Sequence, residues 1–146
     1  MQGNQRIKRV QLKVNQVNNF LLLGIVTAEP DYKLSFTLNS KFGISLKNTP
    51  PVEVAESNKS VLVFSRFSDI SGSPELVFNL ISNRSGKNFL LKKLKNIDYI
   101  LQLHNSDSTE SVSRITSGLR EIESVSAVFR IDIDTLKDKN LRYLTI

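Results

Sequence analysis

His104 is the chain's single histidine, so any Ser-His-Asp relay would have to be assembled around it. Asp107 follows three residues later and serines are abundant nearby. None of those serines stands in a Gly-x-Ser-x-Gly elbow, the sharp turn that presents the nucleophile in α/β-hydrolases. Asp132 and Asp134 form an Asp-x-Asp pair whose oxygens could hold a divalent cation. A two-residue motif is common by chance, and Asp134 is better read as the cap of a short helix over 135–138. Ser85-Gly86-Lys87 has the order that closes a phosphate-binding loop. That loop also needs a glycine where Ile81 stands and a Ser or Thr where Asn88 stands. No Gly-x-Gly-x-x-Gly is present for a dinucleotide, and there is no cysteine. Thiol nucleophiles, disulfides and cysteine-ligated zinc or iron–sulfur centres are therefore excluded. These residues specify no catalytic centre, no metal and no cofactor, and a non-enzymatic role is expected.

Charge is the remaining chemical signal. The formal net charge of +6 is concentrated in two places. Residues 1–14 carry Arg6, Lys8, Arg9 and Lys13 without an acid, and residues 84–95 carry Arg84, Lys87, Lys92, Lys93 and Lys95 without an acid. Those nine exceed the whole net charge, so the rest of the chain sums to −3. If the first segment lies near the second, they form one patch that attracts polyanions through counterion release. The alternative is a solvated strand edge on which lysines oppose edge-to-edge pairing. Only Phe89 supplies an aromatic ring inside the second segment, and no named nucleic-acid module is recognisable.

The same segment carries a resemblance. Leu91-Lys92-Lys93, three further residues, then Ile97-Asp98-Tyr99 is similar to the signature Ile-Pro-Glu-x-x-x-Val-Asp-Tyr of a family of uncharacterised bacterial proteins. Asp98 and Tyr99 match outright, Leu91 and Ile97 are conservative, and two lysines replace the Pro-Glu pair. Asp31-Tyr32-Lys33-Leu34 also resembles the start of a segment of that family, and the likeness covers residues 9 to about 137. It implies a bacterial protein and no assigned activity. Asp98 and Tyr99 become the signature positions to follow. Strand alternation would point Tyr99 into the core and Asp98 to the other side, where Asp98 either bonds a nearby loop or lysine or belongs to a polar site.

The elements that must position these residues can be read from periodicity. At 146 residues the chain suits one domain, burying about 68–70% of its unfolded surface. Val10, Leu12 and Val14 alternate as a first strand, and 15–19 reads as a turn. Residues 20–26 are apolar except for Gly24, consistent with strand or helix. With the basic residues before it and Val26-Thr27-Ala28 after it, this run imitates a secretion signal. It is too short to span a bilayer, and the alternating pattern upstream is that of a strand; a cytoplasmic protein is expected.

Glu29-Pro30-Asp31 starts a helix, with Leu34, Leu38 and Phe42 on one face and Gly43 as its left-handed stop. Those features outweigh the competing alternation of Leu34, Phe36 and Leu38. Thr49-Pro50-Pro51 reads as a breaker before a short strand over 52–55. Strands over 61–67 and 76–81 follow, joined by a loop over 68–74 containing Gly72, with a second turn over 82–86. Three consecutive strands make an antiparallel meander.

Ile97, Tyr99, Leu101 and Leu103 alternate with Asp98, Gln102 and His104 as a further strand. Asp107 or Ser108 caps a helix, with Glu110 in its first turn. Val112, Ile115, Leu119 and Ile122 form its buried face. Gly118 inside it costs about 1 kcal/mol against alanine and suggests a close contact. Val125, Ala127, Phe129 and Ile131 alternate as the last strand.

The expected architecture is α+β: a mainly antiparallel sheet of five to six strands, two helices on one face and a C-terminal βαβ unit. The expected role is that of a small binding or adaptor domain, self-associating as a homodimer through open strand edges and apolar surface left by residues 20–26. The alternative is a nucleic-acid-associated protein using residues 6–13 and 84–95. An acidic protein is a further candidate partner; a membrane is not.

Overall fold

The computed structural model describes residues 20–56, 60–69, 77–104 and 109–144. The expected strand over 10–14, the basic residues before it, the Gly72 loop, and the Asp107 and Ser108 caps lie outside them, and so does the side chain of Glu110.

The chain runs β1 (Phe20–Thr27), α1 (Asp31–Phe42), β2 (Leu46–Ala55), β3 (Val61–Asp69), β4 (Val77–Ser82), the two-residue strands β5 (Arg84–Ser85) and β6 (Asn88–Phe89), β7 (Tyr99–His104), α2 (Thr109–Glu121), β8 (Val125–Ile131) and a 3₁₀ turn, Lys139–Tyr143. Six strands form one sheet in the order β2-β3-β4-β7-β1-β8, and every neighbouring pair is antiparallel. The meander is β2-β3-β4. β7 and β8 both run against β1, so they are parallel to one another with β1 between them. The expected βαβ unit is therefore split by the first strand.

Residues 20–26 belong to that central strand, bonded on both sides, which is why all but Val26 are buried. The run is therefore a strand rather than a helix, paired between β7 and β8. No helix among the described residues is long and apolar enough to cross a membrane.

Both helices lie on one face of the sheet. Leu34 and Leu38 of α1 and Ile115 and Leu119 of α2 share a cluster with Leu21, Leu23, Ile25, Tyr99, Leu101 and Leu103. Gly43 ends α1 at φ 63°, the left-handed conformation that glycine adopts without steric cost. Gly118 is explained by contact: the Phe42 ring lies 2.5 Å from where a Cβ would sit.

The sheet's other face is covered too. Leu90, Leu91 and Ile97 from the loop before β7, and Leu144 from the C-terminus, pack on Leu22, Ile100, Ile81 and Phe64. Three expectations are corrected here, two by this second cover and one by a bulge. Ile97 packs on the face opposite Tyr99, with its Cδ1 occupying the space a side chain on Gly24 would need. Gln102 is buried rather than solvated, and its amide donates to the Leu144 carbonyl. The alternation of β8 breaks at a bulge beside Val26 and Thr27, so Val125 and Val128 face the helices and Phe129 is 45% exposed.

Pro50 and Pro51 do not break β2. They sit where its register with β3 shifts, on a strand at the sheet's edge. A residue lacking an N–H is tolerated at a bulge or on an edge strand. The turn expected over 82–86 opens the small β5–β6 hairpin, with Gly86 at φ 60°. The short helix expected after Asp134 starts later, at Lys139, and its cap is Asp138, which accepts from the Asn140 N–H at 3.0 Å.

Candidate functional site

The second basic segment folds as the hairpin and the loop that cover the far face of the sheet. Its interior is organised by Asn83, a fully buried residue. The Asn83 side chain donates to the carbonyls of Leu94 and Ile97, both at 2.9 Å, and accepts from the Leu91 N–H at 2.8 Å. Its backbone adds a bond to the Asp98 carbonyl and another from the Leu90 N–H, each 2.9 Å. Two successive turns follow, closed by Leu94 to Leu91 and Ile97 to Leu94. This winding turns Leu90, Leu91 and Ile97 inward and leaves Lys92, Lys93 and Lys95 exposed. Lys87 is exposed at the hairpin tip beside Gly86.

Arg84 has a different surrounding. Its Nε donates to Asp98 Oδ1 at 2.7 Å, and its guanidinium stands 5.1 Å from the centre of the Phe89 ring. Asp98 Oδ2 accepts the Thr27 N–H at 2.9 Å, and the Tyr99 hydroxyl donates to the Glu29 carbonyl at 2.7 Å. The two signature positions thus fasten the end of β1 to the entrance of β7. A cavity of about 370 Å³ opens there, lined in part by Glu29, Ser82, Arg84 and Asp98. Burial, aided by the charges of Asp31, Asp98 and Glu29, pushes the Tyr99 hydroxyl up to about 12. It stays protonated as a donor.

The structure adds a partner that the sequence did not announce. The Lys93 backbone N–H donates to Asp138 Oδ2 at 3.2 Å, Lys93 Nζ donates to the Lys137 carbonyl at 2.7 Å, and Asn140 Nδ2 donates to the Leu90 carbonyl at 2.6 Å. The stretch 137–142 is thereby bonded to the basic loop, bringing exposed Lys137, Lys139 and Arg142 to the same surface. Its one acid, Asp138, is buried and accepts backbone N–H groups. Asp132 and Asp134 lie just outside, on the preceding turn.

The catalytic candidates stay apart. His104 is half-buried beside the Phe20 ring, with centroids 5.9 Å apart, and burial lowers its pKa from the ordinary histidine value. Asp107 lies outside the described residues. Asp132 Oδ1 accepts the Asp134 N–H at 3.1 Å. Among the described residues no group of three or more His, Cys, Asp or Glu could hold a metal ion. Ser85-Gly86-Lys87 is the tip of a β-hairpin rather than the turn between a strand and a helix.

No protein-family model and no curated protein matches this chain.

Proposed function

We propose that this chain is a small non-enzymatic binding domain whose working surface is the basic end built from residues 84–95 and 137–142, and whose partner is a polyanion. The observation that carries this reading is the bonding of Lys93 to Asp138 and Lys137, which makes two cationic segments far apart in sequence one surface. Cations held together on a buried scaffold neutralise neighbouring phosphates and release their counterions. The reading draws on Lys87, Lys92, Lys93, Lys95, Lys137 and Lys139; Arg84 is assigned to the Asp98 ion pair. Nucleic acid is the first candidate, and an acidic protein is the competitor. Kinship with the Ile-Pro-Glu-x-x-x-Val-Asp-Tyr family belongs to the same proposal. Its support is that Leu91, Ile97, Asp98 and Tyr99 all have defined packing or bonding roles. A reducing, cytoplasmic setting is proposed from the cysteine-free sequence.

The test is binding of short single-stranded and duplex oligonucleotides over a salt series. Each phosphate contact contributes about −0.9 to the slope of log affinity against log salt for duplex DNA and about −0.7 for single strands. The double variant Lys92→Ala, Lys93→Ala flattens the slope by roughly 1.4 to 1.8 units. It weakens all sequences alike, since phosphate contacts carry no base information. Absence of binding at low salt overturns the proposal.

A second reading, self-association, is favoured by α1. Tyr32 and Phe36, one turn apart, are 68% and 71% exposed. The run 20–26 does not supply the apolar surface first expected of it, because the sheet buries it. We place the homodimer surface on the outer side of α1 instead. Sedimentation of the wild type and of Tyr32→Ser, Phe36→Ser tests this: a dimer is expected only for the wild type, and a monomeric wild type contradicts it.

A further inference from the structure

Phe129 is the largest exposed apolar side chain on the sheet, on β8, and packing does not account for it. It borders a cavity of about 350 Å³, which Leu94, Ile97 and Leu136 also line, with Asn96 and Asp132 among the polar lining residues. Volumes from about 300 Å³ upward, mainly apolar with a few placed polar groups, suit small organic ligands. The surroundings narrow the choice. Lys95 lies between two lining residues, Leu94 and Asn96, and Lys137 follows another, Leu136. Lys93 reaches the Lys137 carbonyl. Arg130 lines the cavity as well, and Lys95 and Lys137, next in the chain to lining residues, are exposed. An aromatic side chain beside an amide and a carboxylate, with these cations in or next to the lining segments, combines the two features that single-strand binding uses: stacking for the base and cations for the backbone.

We propose that this cavity takes one unstacked base of a single-stranded nucleic acid, stacked on Phe129, while the flanking phosphates lie on Lys93, Lys95 and Lys137. Asn96 and Asp132 face the polar edge of that base. Asp132 has acceptor capacity beyond its bond from the Asp134 N–H and suits an exocyclic amino group. A duplex cannot present a base in this way without unpairing it. The inference rests on the polyanion reading above and adds to it a preference for single strands.

The experiment compares the wild type with Phe129→Ala and Phe129→Tyr against three probes: a single-stranded oligonucleotide containing one fluorescent base analogue, a duplex of equal length, and inorganic polyphosphate. Because Phe129 belongs to neither core cluster, both variants should melt close to the wild type, which a thermal scan verifies. Phe129→Ala is expected to lose about 5- to 150-fold in single-strand affinity, with loss of the analogue's stacking signal, and Phe129→Tyr to retain both. Polyphosphate affinity and its salt dependence should be equal in all three proteins. If Phe129→Ala binds the single strand as well as the wild type while polyphosphate still binds, the stacking inference fails and the polyanion reading stands. If the variant instead dissociates a dimer with no change in binding, the cavity belongs to a second copy of the chain and the inference is overturned. If the wild type binds none of the three probes at low salt, both readings fall together.

Discussion

The backbone N–H of Lys93 donates to Oδ2 of Asp138 at 3.2 Å across 45 residues of chain. The other carboxylate oxygen takes the Asn140 N–H at 3.0 Å. The stretch's only acid is thus turned inward onto main-chain donors, and its cations remain outside. Replacing Asp138 by alanine orphans these donors and should cost about 1–3 kcal/mol. Asparagine, which keeps an acceptor oxygen, should cost less. Urea melts that place both variants at the wild-type midpoint would remove this tie from the account.

Asn83 should be the more sensitive position. Asn83→Ala leaves the Leu91 N–H and the Leu94 and Ile97 carbonyls without their side-chain partner. Each buried group stripped of its partner costs about 1–3 kcal/mol. The Leu94 carbonyl keeps the Ile97 N–H, so two groups are orphaned and a total loss of at least about 2 kcal/mol is expected, whereas the exposed Lys87→Ala should stay within about 0.5 kcal/mol. Similar midpoints for the two variants would show that the loop does not depend on this residue.

Gly118 offers a test of sign. Alanine gains about 1 kcal/mol of helix propensity, but its methyl group meets the Phe42 ring, which is stacked on Phe78 at 6.4 Å. Overpacking of this kind costs about 1–3 kcal/mol, so the net effect should be destabilising. In a Phe42→Leu background the ring is gone and the same substitution should become neutral or stabilising. A double-mutant cycle with no coupling would contradict the contact.

Tyr99 predicts an alkaline dependence. Its hydroxyl titrates near 10 in the unfolded chain and is pushed up to about 12 in the fold, chiefly by burial. The folded state therefore retains this proton where the unfolded state has lost it. The contribution is fully present below pH 10 and falls away as pH rises from about 10 through 12. Tyr99→Phe should lower stability at neutral pH by removing the bond to Glu29 and should flatten the decline in that window. Equal alkaline slopes for the two proteins would be the contrary result.

Much of the architecture was legible because local chemistry and tertiary packing agree. Leu34, Leu38 and Gly43 each act in α1 as their types suggest, while Pro30 stands one place before the first turn, as the N-cap; Ile115 and Leu119 give α2 its buried side, with Ile122 just past its end. Reading failed where a second layer altered the pattern. Alternation assigns one face of β7 to solvent, yet the loop 90–97 and Leu144 cover it, so Ile100 and Gln102 are buried. Pro50 and Pro51 look like an interruption until the strand is known to lie at an edge.

In the candidate site, the basic loop was visible in composition, but its partner 137–142 was not, because a stretch with three cations and one acid has no unusual charge. Asn83 gave one faint signal, a lone Asn among turn residues after a strand; its side chain's role depends on contacts up to 14 residues away. Phe129 was assigned inward by simple alternation. The bulge that displaces that alternation depends on pairing with Thr27, which no local pattern records.

The central claim is that residues 84–95 and 137–142 act as one polyanion-binding surface, and the salt slope of a variant in the second stretch tests it most directly. Lys137→Ala with Lys139→Ala leaves the Lys137 carbonyl in place to accept Lys93 Nζ, so the loop should hold. If both lysines contact phosphate, the slope against a single-stranded oligonucleotide should flatten by about 1.4 units, two contacts at about 0.7 each. Lys92→Ala with Lys93→Ala should flatten it by a similar amount. An unchanged slope for Lys137→Ala, Lys139→Ala beside a flattened one for the loop variant would contradict a joint surface.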